Sequence, residues 1–373
     1  MRVSVPNIPE AILRSANAAQ TRAILPAEAV ERIATFLSPG NAAVVTGAGV
    51  SVDSGIRAYR GAKGRYLNPN YKYYHELMDP SPKGAAFRRR YWYVHPLLLW
   101  SLRSYLGYPP VRDAQPNTTH FALAALQYTS VVNKVITQNV DGLHHKAIAH
   151  VWDTTRMDQR ILELHGRLRS VRCAHGHITD RNIFQQQLSV ANPEWKAFAD
   201  ELEATGRQPR TNPDGDVVLE GVNYDEFVVP DCPECLLEHR HNNIQKPEVI
   251  FFGESITKES GIARKHLFHD VERCDRLLLM GTTLATFSAF RLLRHAMDLH
   301  KPVLLLNLGP TRADGLAGVD KIDIASGAVM RDVVKSVLGA GWTTDSVVAD
   351  LLQSGIVKPP PDDHDDTAPR VEA

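Results

Sequence analysis

Along the chain, short apolar runs alternate with longer stretches in which apolar residues recur at helical spacing. The runs Ala42–Thr46, Val131–Thr137, Val249–Phe252, Leu277–Gly281 and Val303–Asn307 are the length of strands and mostly lack polar alternation. Such runs suit strands of a parallel sheet buried on both faces. The stretches Ala27–Leu37, Thr118–Leu126, Ser288–Leu299 and Ala328–Leu338 read as helices between them. The alternation predicts an α/β fold, a doubly wound Rossmann-like parallel sheet.

Two segments break the rhythm. Residues 166–245 are polar, hold three of the cysteines and contain the loop signal Asn212-Pro213-Asp214-Gly215-Asp216. Residues 60–116 are rich in aromatics and carry Arg88-Arg89-Arg90, a charge run that reads first as a solvated helix face. Both are expected to be insertions that build a smaller domain, with 166–245 as its body and 60–116 contributing helices. The large domain then comprises 27–165 and 246–345, and residues 1–26 form an N-terminal extension. Residues 356–373 include Pro359-Pro360-Pro361 and an Asp-rich run without periodicity, and are expected to be a disordered tail.

Composition narrows the function. Lys+Arg and Asp+Glu are both 42 in 373 residues, so the chain lacks the basic face of a nucleic-acid binder. No apolar run approaches the roughly 20 residues of a membrane helix. Neither nucleic acid nor membrane is expected as a partner. The N-terminus carries Arg2, Arg14 and Arg22, with Glu10 the only acid before Glu28. That pattern is compatible with a mitochondrial transit peptide, although Pro6 and Pro9 interrupt an early helix and suit a ragged extension equally well.

Five motifs carry candidate chemistry. Val44-Val45-Thr46-Gly47-Ala48-Gly49-Val50-Ser51 is a strand entering a Gly-x-Gly turn, which lets backbone N–H groups approach a phosphate. Val52 stands where a third glycine is usual, so a tight turn without a ligand is the competing reading. Thr137-Gln138-Asn139-Val140-Asp141-Gly142 sets polar side chains at a strand's C-terminal end, where open parallel sheets bind ligands. Asp141 could equally cap the next helix. His165, in Glu163-Leu164-His165-Gly166, is a candidate general base or a structural histidine. Gly281-Thr282-Thr283-Leu284 and Asn307-Leu308-Gly309 follow two further strands.

The fifth motif is the cysteine set. Cys232-Pro-Glu-Cys235 reads as a metal knuckle or a redox pair, and Cys173 lies about 60 residues earlier with His175 and His177 close behind. Three thiolates and one imidazole would make a closed, structural zinc site. Cys274 precedes an apolar strand and reads as core.

The ordered set Gly47-Ala48-Gly49-x-Ser51-x-x-Ser54-Gly55-Ile56, Thr137–His144, His165-Gly166, Cys173, Cys232-x-x-Cys235, Phe252-Gly253-Glu254 and Gly281–Leu284 resembles the sirtuins, the NAD-dependent protein deacylases. The resemblance spans about Val30 to Gly339. Pro116-Asn117-x-x-His120, Asn212–Asp216, Pro247–Glu254 and Asn307–Arg312 look most like the class II, mitochondrial sirtuin-four-type branch. This implies a mitochondrial-matrix enzyme (cytoplasm or nucleus being the alternatives) that moves an acyl group from a protein lysine to ADP-ribose and releases nicotinamide.

By resemblance, Gly47, Ala48, Gly49, Ser51 and Ser54 would serve the NAD phosphate turn, and Tyr59 and Arg60 the cofactor loop. Gln138 would meet the nicotinamide-side ribose, Asn139 and Asp141 the nicotinamide end, and Gly281, Thr282, Thr283, Asn307 and Gly309 the adenosine half. Phe252, Gly253 and Glu254 would pair with the acyl-lysine peptide as an added strand. His165 would take a proton from the ribose with Asn139 beside it, and Cys173, His175, Cys232 and Cys235 would hold zinc.

The chain departs from the family pattern twice. Arg57-Ala58 replaces Pro-Asp after Gly-Ile, which puts a cation in the loop that closes over nicotinamide. Cys173-Ala174-His175-Gly176-His177 replaces a second Cys-x-x-Cys; one deleted residue puts His175 in the missing cysteine's place, while His177 has the longer reach. ADP-ribosyl transfer, lipoamidase-like hydrolysis of acyl-lysine, and an NAD-binding sensor without catalysis are the alternatives.

Overall fold

The computed structural model describes residue 12 and residues 24–59, 96–205, 227–241, 245–250 and 264–360. In chain order these form α1 (Pro26–Leu37), β1 (Ala42–Thr46), α2 (Pro96–Asp113), α3 (Thr118–Tyr128), β2 (Val132–Thr137), α4 (Leu143–Ile148), α5 (Thr154–Arg160) and β3 (Ile161–Glu163). Next come β4 (Gly166–Cys173), β5 (Ile178–Asp180), α6 (Arg181–Ala191), α7 (Pro193–Ala204), α8 (Pro233–Leu237) and β6 (Gln245–Val249). The chain continues through α9 (Arg264–Arg273), β7 (Arg276–Met280), α10 (Phe287–Asp298), β8 (Val303–Leu306), β9 (Val319–Ile322), α11 (Met330–Leu338), α12 (Gly341–Thr344) and α13 (Ser346–Gln353).

Six strands form one parallel sheet in the order β3-β2-β1-β7-β8-β9. The successive strands β1, β2 and β3 run outward to one side, and β7, β8 and β9 to the other. The order therefore reverses between β1 and β7, and the crevice at their C-terminal ends is where such sheets bind ligands. The pleat explains the unbroken apolar runs. Ala42 and Val44, Leu278 and Met280, and Leu304 and Leu306 point to a layer built from α1, α3, α11 and α13. Ala43 and Val45, Leu277 and Leu279, and Val303 and Leu305 point to the opposite layer, under α9 and α10. Each fully buried leucine contributes about 1.5–3 kcal/mol relative to exposure.

The second sheet is antiparallel, in the order β5-β4-β6. Val249 thus belongs to a different strand from the one its apolar run suggests. The run was expected to give a parallel strand; instead β6 pairs Val249 with Gly166 and Glu248 with Arg167. A short apolar run carries no information about which sheet it joins. The edge strands β3 and β9 escaped the reading because one is three residues long and the other, Val-Asp-Lys-Ile, is half polar.

The tail expected from residue 356 is ordered at its start. The Ile356 N–H donates to the Pro116 carbonyl (3.2 Å) and the Lys358 N–H to that of Asp53 (2.7 Å). The expectations placed on Arg60, Arg88–Arg90, Phe252, Gly253, Glu254 and most of the N-terminal extension lie outside the described residues.

Candidate active site and metal centre

The Gly47–Ser51 turn leaves β1 at the switch point and packs directly on the end of β7. A Cβ on Gly47 or Gly49 would lie 2.8 or 2.7 Å from the Gly281 carbonyl oxygen, and one on Gly281 (φ +57°) 2.6 Å from the Val50 nitrogen. Only glycines let these backbones interlock. The Gly47 N–H donates to the Met280 carbonyl (3.0 Å) and the Gly49 N–H to that of Gly281 (2.9 Å). Ala48–Ser51 then form one 3-10 turn.

Ser51 ends that turn and gathers the polar residues that follow β2. Its Oγ donates to Asp141 Oδ2 (2.8 Å) and accepts from Asn139 Nδ2 (3.0 Å), while His120 Nε2 lies 3.4 Å away. Asn139 and Asp141 therefore do converge on one small polar group. Asp141 also serves the helix start, because its Oδ1 accepts the Leu143 N–H (3.0 Å). Burial raises its pKa, and the Leu143 and Ser51 hydrogen bonds offset that in part. Ser54 is buried, and its hydroxyl has no hydrogen-bond partner among the described residues.

Gln138 locks three strand ends together. Its Nε2 donates to Thr282 Oγ1 (2.9 Å) and to the Thr46 carbonyl (3.2 Å), and its Oε1 accepts from Thr286 Oγ1 (2.8 Å). Its backbone carbonyl lies 3.1 Å from His165 Nδ1, and Ser288 Oγ lies 2.8 Å from His165 Nε2. Burial pushes the His165 pKa down to about 4, against a smaller upward effect of the Gln138 carbonyl. The ring is thus neutral at physiological pH, as a base must be. Asn307 is buried after β8, with its Nδ2 donating to the Leu308 and Gly309 carbonyls, and the Gly309 N–H donates to Asp323 Oδ1 (2.9 Å). Thr283 accepts the Arg312 N–H at its carbonyl. Arg57, Ala58 and Tyr59 are half-buried at the end of the described turn.

Ser288 went unsingled in the motif reading, while His144 and Asn117 entered it only as members of longer motifs with no role of their own. Ser288 gave no signal beyond a polar residue in a helix's first turn. His144 bonds Thr46 Oγ1 (2.9 Å) and packs against His120, with the rings tilted by 58° and their centroids 4.8 Å apart. Asn117 caps α3 reciprocally with His120 and also donates to the Val50 carbonyl (2.8 Å). The Asn117-x-x-His120 spacing, quoted above only for its resemblance, is realised here as a capping box.

The metal centre corrects one expectation. Cys173, Cys232, Cys235 and His177, not His175, converge, with one ligand atom from each lying within 4.8 Å of the others. His177 Nδ1 is 3.6, 3.7 and 3.4 Å from the three sulfurs, and Cys173 Sγ is 3.8 Å from Cys235 Sγ. Tetrahedral zinc, with bonds of about 2.3 Å to sulfur and 2.0–2.1 Å to nitrogen, requires separations of about 3.8 and 3.6 Å. The set therefore fits zinc. The turn after β4 decides between the imidazoles. Gly176 (φ +94°) reverses the chain so that the Cys173 N–H meets the His177 carbonyl (2.9 Å), which swings His177 inward. His175 turns out toward Arg240 and contributes only its backbone N–H, to Cys173 Sγ (3.3 Å). With four protein ligands the site is closed, and structural rather than catalytic.

This combination of switch-point crevice, enclosed histidine and closed Cys₃His set defines an α/β protein with a ligand crevice at its sheet's C-terminal edge and a structural metal centre apart from it. The Sir2 family model matches residues 47–288. "NAD-dependent protein deacylase SIR4" of Batrachochytrium dendrobatidis is 38% identical over 305 residues, covering 80% of this chain and 90% of that protein. "NAD-dependent protein deacylase SRT2" of Arabidopsis thaliana is 34% identical over 301 residues, covering 78% and 72%. A solved structure described as "Sir2-p53 peptide-NAD+" superposes with a TM-score of 0.51 at 19% identity, covering 84% of this chain and 99% of that one, a likeness of fold. The chain belongs to the Sir2 family, the sirtuins.

Proposed function

We propose that the protein is an NAD-dependent deacylase that removes acyl groups from protein lysines and releases nicotinamide. The observation that carries this reading is the arrangement around Gln138. Its backbone carbonyl orients the base His165, while its side chain ties β1, β2 and the Gly281–Thr282 turn together. Bound NAD would supply an electrophilic ribose carbon and a leaving nicotinamide. Gly47–Ser51 would hold its phosphates, Asn307 and Gly309 its adenosine half, and Ser51, Asn139 and Asp141 its nicotinamide end. His165, neutral and fixed at Nδ1, would accept the ribose hydroxyl proton at Nε2.

The acyl-lysine segment would add as a strand along Phe252–Glu254. The Asn307–Arg312 and Pro116–His120 segments support a place in the SIR4-type branch. The arginine-bearing, acid-poor N-terminus supports import into the mitochondrial matrix. ADP-ribosyl transfer is the competing outcome at the same site, because Arg57-Ala58 changes the loop that would close over nicotinamide.

The test is nicotinamide release from NAD with a panel of acyl-lysine peptides, with the products identified. Release that requires an acylated peptide, yields O-acyl-ADP-ribose and falls about 10²–10⁴-fold in His165→Ala is the expected result. Release accompanied only by ADP-ribosylated protein would replace deacylation with transfer.

A further inference from the structure

We propose that Ser288 is a positioning residue that keeps His165 in the tautomer of a base and occupies, in the free enzyme, the place that the ribose hydroxyl takes during the reaction. This rests on the deacylase reading for its chemistry, but not for its geometry.

The tautomer follows from the two ends of the ring. A carbonyl oxygen can only accept, so the 3.1 Å contact from Nδ1 to the Gln138 carbonyl requires a proton on Nδ1. Nε2 of the neutral ring then carries the lone pair. Ser288 Oγ, at 2.8 Å, is the donor to it. The ring is held from both sides, with its basic lone pair aimed at a hydroxyl.

The placement of that hydroxyl is built rather than incidental. Ser288 lies in the first turn of α10, two residues after Thr286, whose own hydroxyl donates to Gln138 Oε1 (2.8 Å). Gln138 is therefore anchored to the start of α10 by its side chain and to His165 by its backbone. The groups facing His165 among the described residues are uncharged: the Gln138 carbonyl, Ser288, and the Ile250 N–H on its backbone carbonyl (2.9 Å).

A hydrogen bond donated to Nε2 favours the neutral ring, so losing it raises the ring's basicity. The ribose hydroxyl, once seated, would donate to the same lone pair and take over that effect. Ser288 then matters in the free enzyme and ceases to matter in the complex. The pH dependence of kcat/KM reports groups of the free enzyme, and that of kcat those of the complex.

The test compares the wild type with Ser288→Ala and Ser288→Thr. In Ser288→Ala the acid limb of kcat/KM is expected to move up by about 0.5–1 pH unit, roughly the worth of one hydrogen bond. The acid limb of kcat stays where it is, and Ser288→Thr, which keeps the hydroxyl, behaves as wild type. A ¹⁵N-histidine NMR titration without substrates reads the same groups independently of turnover. It should show the Nδ1–H tautomer in the wild type and a raised His165 pKa in Ser288→Ala alone. An unchanged His165 pKa in Ser288→Ala, or limbs of kcat and kcat/KM that shift together, would overturn the proposal. If no peptide is turned over, the deacylase reading fails while the titration still decides the role of Ser288.

Discussion

The two sheets of this molecule are stabilised by different means. In the parallel sheet every residue of β1 is buried, and Leu277, Leu279, Leu305 and their neighbours are covered by helices on both sides. The antiparallel sheet has far less to work with. Its β5 is largely exposed, with Ile178 facing water, and its β4 turns few apolar side chains inward. Its apolar cluster of Val171, Phe184, Leu188, Phe227 and Val229 borrows Tyr105 and Leu106 from α2. Leu168 and Val249 pack in a cluster shared with Ile56, Tyr108, Val140 and Leu143, and a separate buried cluster is Cys173, Cys232 and Cys235. A region with a core of its own can be shaped for chemistry at its rim, whereas this region joins a smaller apolar cluster to a four-ligand metal set.

The largest effect should come from removing that metal. Structural zinc sites in small peptides supply about 10–16 kcal/mol at neutral pH, as much as the whole stability of a typical domain. Chelation, or Cys235→Ser, should abolish hydrogen-exchange protection in β4, β5 and α6 while β1, β7 and β8 remain protected. His177→Ala should behave as the cysteine variant does, and His175→Ala as the wild type. Protection of β4 that survives metal removal would erase the contrast between the two regions.

Legibility in the sequence followed the same division. Strands buried on both faces announce themselves as unbroken apolar runs, so a parallel sheet could be read from runs such as Ala42–Thr46 and Leu277–Gly281, although the order of its strands could not. Gly49, Asn139 and Asp141 were readable because a strand end limits where they can point. His177 was not, because the choice between two imidazoles depends on a backbone reversal at Gly176 that spacing alone does not encode. Ser288 was not, because its role arises from a contact 123 positions away in sequence. The strand β6 was misplaced for the same reason: pairing partners are a property of the fold.

Acid should weaken the parallel sheet's region by a route that does not involve the metal. Burial lowers the pKa of His144 to about 3 and of His145 to about 4, and His165 is likewise pushed to about 4. His120 is lowered in the same direction by burial and by His144. An unfolded chain binds protons at these residues below about pH 6.5, whereas the folded chain does not. Stability is therefore unaffected above that pH and falls as the pH drops from 6.5 toward 4. At pH 5.5 each such histidine costs about 1.4 kcal/mol, or about 4 kcal/mol for His144, His145 and His165 together. Asp141 and Glu163, whose pKa values burial raises, act in the opposite sense only nearer the carboxylate range. Urea midpoints of the zinc-loaded protein should fall steadily between pH 6.5 and 5. A flat profile would mean that these rings are protonated in the fold.

The smallest effect tests how the chain's end closes the cofactor region without a metal. Gly355 has φ +103°, and a Cβ there would lie 2.7 Å from the Thr118 nitrogen and 2.8 Å from the Asn117 carbonyl carbon. Both are backbone atoms at the start of α3, where Asn117 caps the helix and holds the Val50 carbonyl. Three residues on, the Lys358 N–H bonds the Asp53 carbonyl, next to Ser54 of the cofactor turn. Gly355→Ala forces the strap to lift, because neither backbone can yield without losing the cap. Gly315→Ala is the control, since Gly315 also has positive φ (+80°) but nothing within 4 Å of an added Cβ. Backbone strain of this kind costs about 1–3 kcal/mol, and both variants should bear it. Only Gly355→Ala should also weaken NAD binding, because only there does strain reach the turn that carries Ser51 and Ser54. Equal NAD affinity in the two variants, measured calorimetrically, would reduce the strap to a passive end of the chain.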